Sequence, residues 1–116
     1  MGKFSRSKGA AAERELCNIL TRETGFVWKR RLSQTRDGGH DVGCEMYPNV
    51  AIEVKRAERA AWGQWLSQAR EQAPKGAVPV VAYRASHQPW RFLAVIDDAS
   101  AFAAFLECFP PTQANA

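Results

Sequence analysis

The stretch Val50-Ala51-Ile52-Glu53-Val54-Lys55-Arg56 constrains the fold of this chain more than any other. Its β-branched residues at every second position predict a strand. Because successive strand side chains point to opposite faces, Glu53 and Lys55 share a face, and Ile52 and Val54 share the other. An acid and an amine on one face of so apolar a strand allow two interpretations. One is a surface ion pair on an edge strand, and the other is part of a metal-dependent active site.

The length and composition predict a single soluble domain over residues 1–116. The chain has 116 residues, of which 46% are hydrophobic and 24% charged, and such a chain can bury a core without disulfides. No uncharged apolar run approaches the roughly 18 residues that span a bilayer. The basic N-terminus is not followed by the apolar segment of a secretory signal, so we expect a cytoplasmic protein without membrane contact. The three cysteines are far apart and are expected to be free thiols.

Positive charge is concentrated in the first half of the chain. Residues 1–60 hold 12 Lys and Arg against 8 Asp and Glu, whereas residues 61–116 hold four of each kind. This asymmetry favours a polyanionic partner, with nucleic acid as the first candidate. A solvated basic face would give the same pattern.

The pattern of apolar residues predicts the order α-β-β-β-α-β-β-α, an α/β sheet with helices packed on it. Residues 1–7 are expected to form a flexible basic arm, 32–39 a polar loop and 110–116 a flexible tail. The turn at 47–49 is predicted to join two strands into a hairpin, and the apolar run at 77–83 is typical of a buried parallel strand. The predicted elements are a helix over 8–23, strands over 26–31, 40–46 and 50–56, a helix over 62–73, strands over 77–83 and 90–96, and a helix capped by Asp97 or Asp98 that runs to about Cys108.

Asp41 lies at the start of the predicted strand 40–46, which forms the hairpin with the strand at 50–56. If the two strands pair, Asp41 and Glu53 can reach one ion, and two carboxylates with water and phosphate are a usual way to hold Mg²⁺. Lys55 can then orient or help deprotonate a water, and Glu13 on the first helix can reach the same place. Asp41 could instead be a turn residue after the preceding glycines, and Glu13 could be a surface acid.

These residues resemble the PD-(D/E)xK nuclease superfamily. Within it they are most similar to the Holliday-junction resolvases of archaeal type and to phage and bacterial relatives. The resemblance covers about residues 8–95, and Gln68 lies where many relatives have a glutamine. His40 occupies the position of the superfamily's proline, so Glu45 on the same strand face is a reserve candidate for Asp41. The matching segments are Lys8-Gly9-Ala10-Ala11-Ala12-Glu13-Arg14-Glu15-Leu16, Gly39-His40-Asp41-Val42 and Ile52-Glu53-Val54-Lys55.

The resemblance implies a restriction-endonuclease-like αβββαβ core, in which a central mixed sheet is flanked by helices. It implies Mg²⁺ as the cofactor, with Mn²⁺ as a substitute, and a homodimer. The implied metal ligands are Asp41, Glu53 and the Val54 carbonyl, with Glu13 as a further candidate. Glu13, Asp41, Glu53, Lys55 and Gln68 are the implied catalytic residues.

The expected function is a Mg²⁺-dependent DNA endonuclease that cuts branched DNA, in recombination or repair. Basic residues around the carboxylates would contact phosphates without reading base sequence. Two alternatives remain open: a nicking or repair nuclease acting on simple duplexes, and a non-catalytic DNA-binding protein that kept the fold. Trp62 and Trp65 are expected to pack in the core rather than to stack on bases. The candidate phosphate contacts are Lys8, Arg14, Lys29, Arg30, Arg31, Arg36, Arg56 and Arg59.

Overall fold

The computed structural model of the chain describes residues 2–31 and 40–109, with side chains from residue 9 onward. Within these ranges the element order agrees with the predicted order. The predicted loop at 32–39, with Arg36, and the predicted tail at 110–116 lie outside the described residues, as does the side chain of Lys8. The elements are α1 (Gly2–Thr24), β1 (Trp28–Arg30), β2 (Val42–Cys44), β3 (Val50–Arg56), α2 (Trp62–Gln72), β4 (Val78–Arg84), β5 (Arg91–Ala94) and α3 (Ala99–Leu106).

The five strands form one mixed sheet in the order β1-β2-β3-β4-β5. β2 and β3 pair antiparallel, with Val42 opposite Ile52, and β1 pairs antiparallel with β2. β4 runs parallel to β3 over its whole length, which places Glu53 opposite Val81. β5 completes the sheet antiparallel to β4. The predicted hairpin, the parallel fourth strand and the mixed sheet flanked by helices are all confirmed.

One helix covers each face of the central strands. α1 packs Leu16, which is fully buried, against Val42 and Ile52. α2 packs on the opposite face, where Trp65 and Tyr83 form a second core cluster. The two ring centroids are 5.0 Å apart, so Trp65 is a core residue, as expected. Since Glu53 alternates with Ile52, its side chain lies on the α2 face.

The predicted arm at 1–7 is wrong for most of its length, because α1 already begins at Gly2. The sequence there holds no proline, and a helix adds residues cheaply once its first turn exists. The helix ends where predicted: Gly25 has a φ of 79° and its amide donates to the Thr21 carbonyl at 3.0 Å. Glycine adopts this left-handed conformation without a steric penalty.

α3 begins as predicted, since the Asp98 side chain accepts a hydrogen bond from the Ala101 amide at 2.8 Å. No residue of α3 is buried, although the helix has no charged side chain. Its large side chains and those of β5 are between 41 and 50% exposed, and Phe109 just beyond the helix is 55% exposed. No helix in the part of the chain that the structure covers is long and apolar enough to cross a membrane. The apolar side chains outside the core are Phe92, Leu93, Phe102, Phe105, Leu106 and Phe109.

Candidate active site

The β2–β3 hairpin brings Asp41 to the middle of β3. The Asp41 amide donates to the Ile52 carbonyl, and the Val54 amide donates to Asp41 Oδ2, both at 2.8 Å. In a strand, the N–H and C=O of one residue point to the same side. The Val54 carbonyl is therefore directed toward β2, on the side where Asp41 lies.

Glu53 is buried beside Asp41, with only 4% of its surface exposed. Burial and then the neighbouring Asp41 charge raise its pKa from 4.5 to about 8. Lys55 Nζ lies 3.9 Å from Glu53 Oε2. Its positive charge lowers the pKa of Glu53 but offsets only part of the increase. The protonated carboxyl can also donate a hydrogen bond to Asp41, which raises the pKa further. Without a cation, burial and the Asp41 charge therefore disfavour the ionised form of Glu53.

Lys55 is held in place by the helix on the same face. Its Nζ donates to Gln68 Oε1 of α2 at 2.5 Å, and both residues are half-buried. The alternation along β3 aims Lys55 at α2, and the first turns of that helix place Gln68 above it. The ammonium is thus fixed near Glu53 rather than free to move in solvent.

Glu13 lies on α1 near Asp41 and Glu53, but its carboxylate forms an ion pair with Arg30. Arg30 Nε donates to Glu13 Oε1 at 2.9 Å. Burial raises the pKa of Glu13, Arg30 lowers it, and the Asp41 charge raises it again. Within residues 2–31 and 40–109, no three His, Cys, Asp or Glu side chains converge closely enough to hold a metal ion. The geometry therefore brings Asp41 and Glu53 together, with Glu13 at the border of the site.

The residues present suit a hard divalent cation. Mg²⁺ takes oxygen ligands and is usually bound through one or two carboxylates, with the rest of its shell supplied by water and phosphate. Asp41, Glu53 and the Val54 carbonyl offer three oxygens on one side of β3. Because burial and Asp41 raise the pKa of Glu53, a cation bound between the two carboxyl groups would stabilise the ionised form of Glu53.

The structure separates the candidate phosphate contacts into free and engaged side chains. Arg14, Lys29, Arg31 and Arg59 are exposed. Arg30 is bound to Glu13, and Lys8 lies on α1 with its side chain outside the described part. The exposed group can meet phosphates without breaking an internal ion pair.

Arg56 is anchored at the ends of the parallel strands. It donates to the Arg84 carbonyl at 3.4 Å and to Ser86 Oγ at 3.5 Å, and it lies 3.6 Å from Glu58. Arg84, which the sequence reasoning missed, is its register partner and donates to Glu15 Oε1 at 2.7 Å. The sequence signal for Arg84 was its position as a basic residue directly after the apolar run at 77–83.

Two other residues near the motif, Glu45 and His40, lie outside the carboxylate pair. Glu45 is exposed toward the hairpin turn, at the far end of β2 from Asp41, so the reserve candidate stays outside the carboxylate pair. His40, in the place of the superfamily's proline, is buried, and its Nε2 lies 3.4 Å from Arg31 Nη1. Burial and the Arg31 charge lower the pKa of His40.

A mixed sheet with an acid on each of two paired strands, and a lysine two residues after the second acid, is the arrangement of PD-(D/E)xK nucleases. The chain belongs to the family described as phage putative PDDEXK endonuclease, whose profile matches residues 4–107. This membership confirms the superfamily that the motifs indicated and identifies the chain as a nuclease.

The structure is also similar to that of Hjc from Archaeoglobus fulgidus, a Holliday junction resolvase from an archaeal hyperthermophile. The TM-score is 0.50 and the sequence identity 25%, over 71% of this chain and 72% of that one. Comparison with curated protein sequences gives no match. The likeness confirms the resemblance to Holliday-junction resolvases, while the roles of individual residues stay predictions.

Proposed function

We propose that this chain is a Mg²⁺-dependent DNA endonuclease that cuts branched DNA. The observation that carries the proposal is the pairing of Asp41 with Glu53 on neighbouring strands, next to Lys55. The likeness to Hjc supports a branched substrate. Mn²⁺ is expected to substitute for Mg²⁺, since both prefer oxygen ligands.

Asp41, Glu53 and the Val54 carbonyl would hold the ion. When bound, the ion would polarise the scissile phosphate and lower the pKa of a nearby water. As an ammonium, Lys55 would orient the attacking water and offset the charge that develops on the phosphate, whereas only as a neutral amine would it accept the proton of that water. Gln68 fixes the Lys55 ammonium through its hydrogen bond. Glu13 is expected to orient water at the border of the site.

The exposed basic residues would bring DNA to this site. Arg14, Lys29, Arg31 and Arg59 are free to contact phosphates, and such contacts set the position of a duplex without reading its sequence. We expect binding to weaken steeply with salt, since each neutralised phosphate releases counterions.

We further propose that the active protein is a homodimer joined through α3 and β5. A four-way junction needs two cuts, and one chain provides one carboxylate pair. α3 carries no charged residue, and β5 is an edge strand whose Phe92 and Leu93 are exposed. Large exposed apolar patches are uncommon on monomeric proteins and often mark interaction surfaces.

Cleavage of a four-way junction and of a matched linear duplex tests the enzymatic part. With Mg²⁺ we expect the junction to be cut in preference, and with EDTA neither DNA to be cut. Asp41→Asn and Lys55→Ala should each lower the rate at least about 100-fold and leave junction affinity within a few-fold. Glu23→Gln, on the exposed end of α1, is the matched control and should cut normally.

Each negative result of these assays would support a different alternative to the proposed function. Absence of cleavage at any Mg²⁺ or Mn²⁺ concentration would leave a DNA-binding protein with this fold. Equal cutting of junction and duplex would leave a simple duplex nuclease. Sedimentation tests the dimer: the wild-type chain should sediment as a dimer and Phe105→Glu as a monomer, whereas a monomeric wild type refutes this surface as a self-interface.

A further inference from the structure

A cavity of about 550 Å³ opens along β1 and β2, and Lys29, His40 and Gly43 are among the residues that line it. Arg31 and His40 line the end nearest the active site, because the Arg31 amide donates to the Asp41 carbonyl at 2.8 Å. Gly43 lines its floor, on the face opposite to Val42 in the α1 core. The cavity therefore begins beside Asp41 and runs along β2 toward the hairpin turn.

The two ends of this cavity differ in chemistry. Lys29 and Arg31 are exposed at the end near Asp41, where Arg31 Nη1 lies 3.4 Å from His40 Nε2. At the turn end, Val27 and Met46 are 61 and 60% exposed, and Tyr47 lines the same wall. Glu45 also lines the turn end, which is otherwise apolar. A basic end and a mostly apolar end match the phosphate and the base of one nucleotide. The volume falls within the roughly 300–1,000 Å³ that is usual for small-ligand sites.

The inner wall contains a polar atom without a partner. His40 is 5% exposed, and its Nδ1 is buried with no hydrogen-bond partner among the described residues. A side chain at position 43 would meet His40 Nε2 at 3.0 Å, so glycine leaves room for the imidazole. Because Nδ1 has almost no accessible surface, a ligand in the cavity cannot bond to it, and the inner wall offers a ligand the space left by Gly43 and the neighbouring Arg31 side chain.

We propose that this cavity holds one unpaired nucleotide of the DNA substrate, next to the scissile phosphate. Its phosphate would lie against Lys29 and Arg31, and its base against Val27, Met46 and Tyr47. Removing a base from a duplex stack costs free energy, and that cost is least where the base is already unpaired. This inference rests on the proposed nuclease function and adds to it a site for an unpaired nucleotide at the branch point, beside the cut.

Binding of forked DNA tests this site in the full chain carrying Asp41→Asn, which prevents cutting. The probe is a fork with 2-aminopurine at its first unpaired position, compared with a linear duplex of the same sequence. Met46→Gln and Lys29→Gln should each lower the ratio of fork affinity to duplex affinity roughly tenfold. Arg22→Gln, an exposed charge change at the far end of α1, should leave that ratio unchanged. The 2-aminopurine emission should change on binding, and Met46→Gln should abolish that change.

Three results would overturn the proposal: no preference of the parent protein for the fork, an unchanged ratio in both variants, or unchanged emission on binding. Met46 and Lys29 are exposed, so both variants should keep the fold, and circular dichroism checks this. Failure of the nuclease function would be seen separately, as absence of metal-dependent cleavage by the chain with Asp41 intact. Cleavage with an unaltered fork preference in both variants would instead remove only the nucleotide site.

Discussion

Glu53→Gln should stabilise the metal-free protein at neutral and alkaline pH. Glu53 is buried, and burial together with Asp41 raises its pKa from 4.5 to about 8. Between these two values the folded chain keeps a proton that the unfolded chain releases. The folded state thus binds more protons, so the free energy of unfolding falls as pH rises through this window.

The magnitude follows from the width of the window. A pH of 7.5 is about 3 units above the ordinary pKa of 4.5 of the Glu53 carboxyl. Each unit corresponds to about 1.36 kcal/mol of unfolding free energy. This gives an upper limit of about 4 kcal/mol, which sharing of the proton with Asp41 reduces to about 2–4 kcal/mol. Glutamine is neutral and can donate to Asp41 as the protonated acid does, so it should recover most of this free energy.

Urea unfolding in EDTA between pH 5 and pH 8.5 measures the effect. The wild-type free energy of unfolding should fall across the range, and the Glu53→Gln curve should fall less than the wild-type curve and lie higher at pH 8. Glu23→Gln, at an exposed site, should stay within about 0.5 kcal/mol of wild type. Mg²⁺ should stabilise wild type at pH 8 and leave Glu53→Gln nearly unchanged, because a ligand of the folded state adds stability by mass action. A variant less stable than wild type in EDTA at pH 8 would refute the reasoning.

Two further predictions follow from the core and from the hydrogen bond to Lys55. Leu16→Ala should lower the free energy of unfolding by about 2–5 kcal/mol in urea, because Leu16 is fully buried between α1 and the sheet; a loss below about 1 kcal/mol would contradict that packing. Gln68→Ala should lower kcat for junction cleavage roughly tenfold with KM within twofold, because Lys55 loses its hydrogen bond, and Gln68→Glu, which keeps the acceptor, should restore most of the rate.

The sheet could be predicted because its signals are local. The alternation in β3 and the turn after β2 set the hairpin, and they also place Asp41 and Glu53 on neighbouring strands. The apolar run of β4 predicts a strand buried on both faces, which is its position in the sheet. Each of these signals spans fewer than ten residues and needs no knowledge of distant contacts.

The contacts that modify the site could not be predicted, because they join distant residues. Glu13 and Arg30 are 17 positions apart on different elements, and their pairing depends on how α1 crosses β1. The burial of His40 depends on the space left at Gly43. The exposure of α3 could not be predicted for another reason: an apolar helix normally predicts burial in its own chain, and in the structure no residue of α3 is buried.

The Glu13–Arg30 pair also bears on how many cations the proposed site would hold. With Glu13 neutralised by Arg30 at 2.9 Å, the charges facing the ion are those of Asp41, Glu53 and Lys55. Two carboxylates and one ammonium sum to a single negative charge. One divalent cation would turn this into a single positive charge, which matches one phosphodiester. A second divalent cation would add two uncompensated positive charges in a half-buried site, and the described residues bring no third carboxylate close enough to bind it. The charge balance therefore favours one ion for each carboxylate pair.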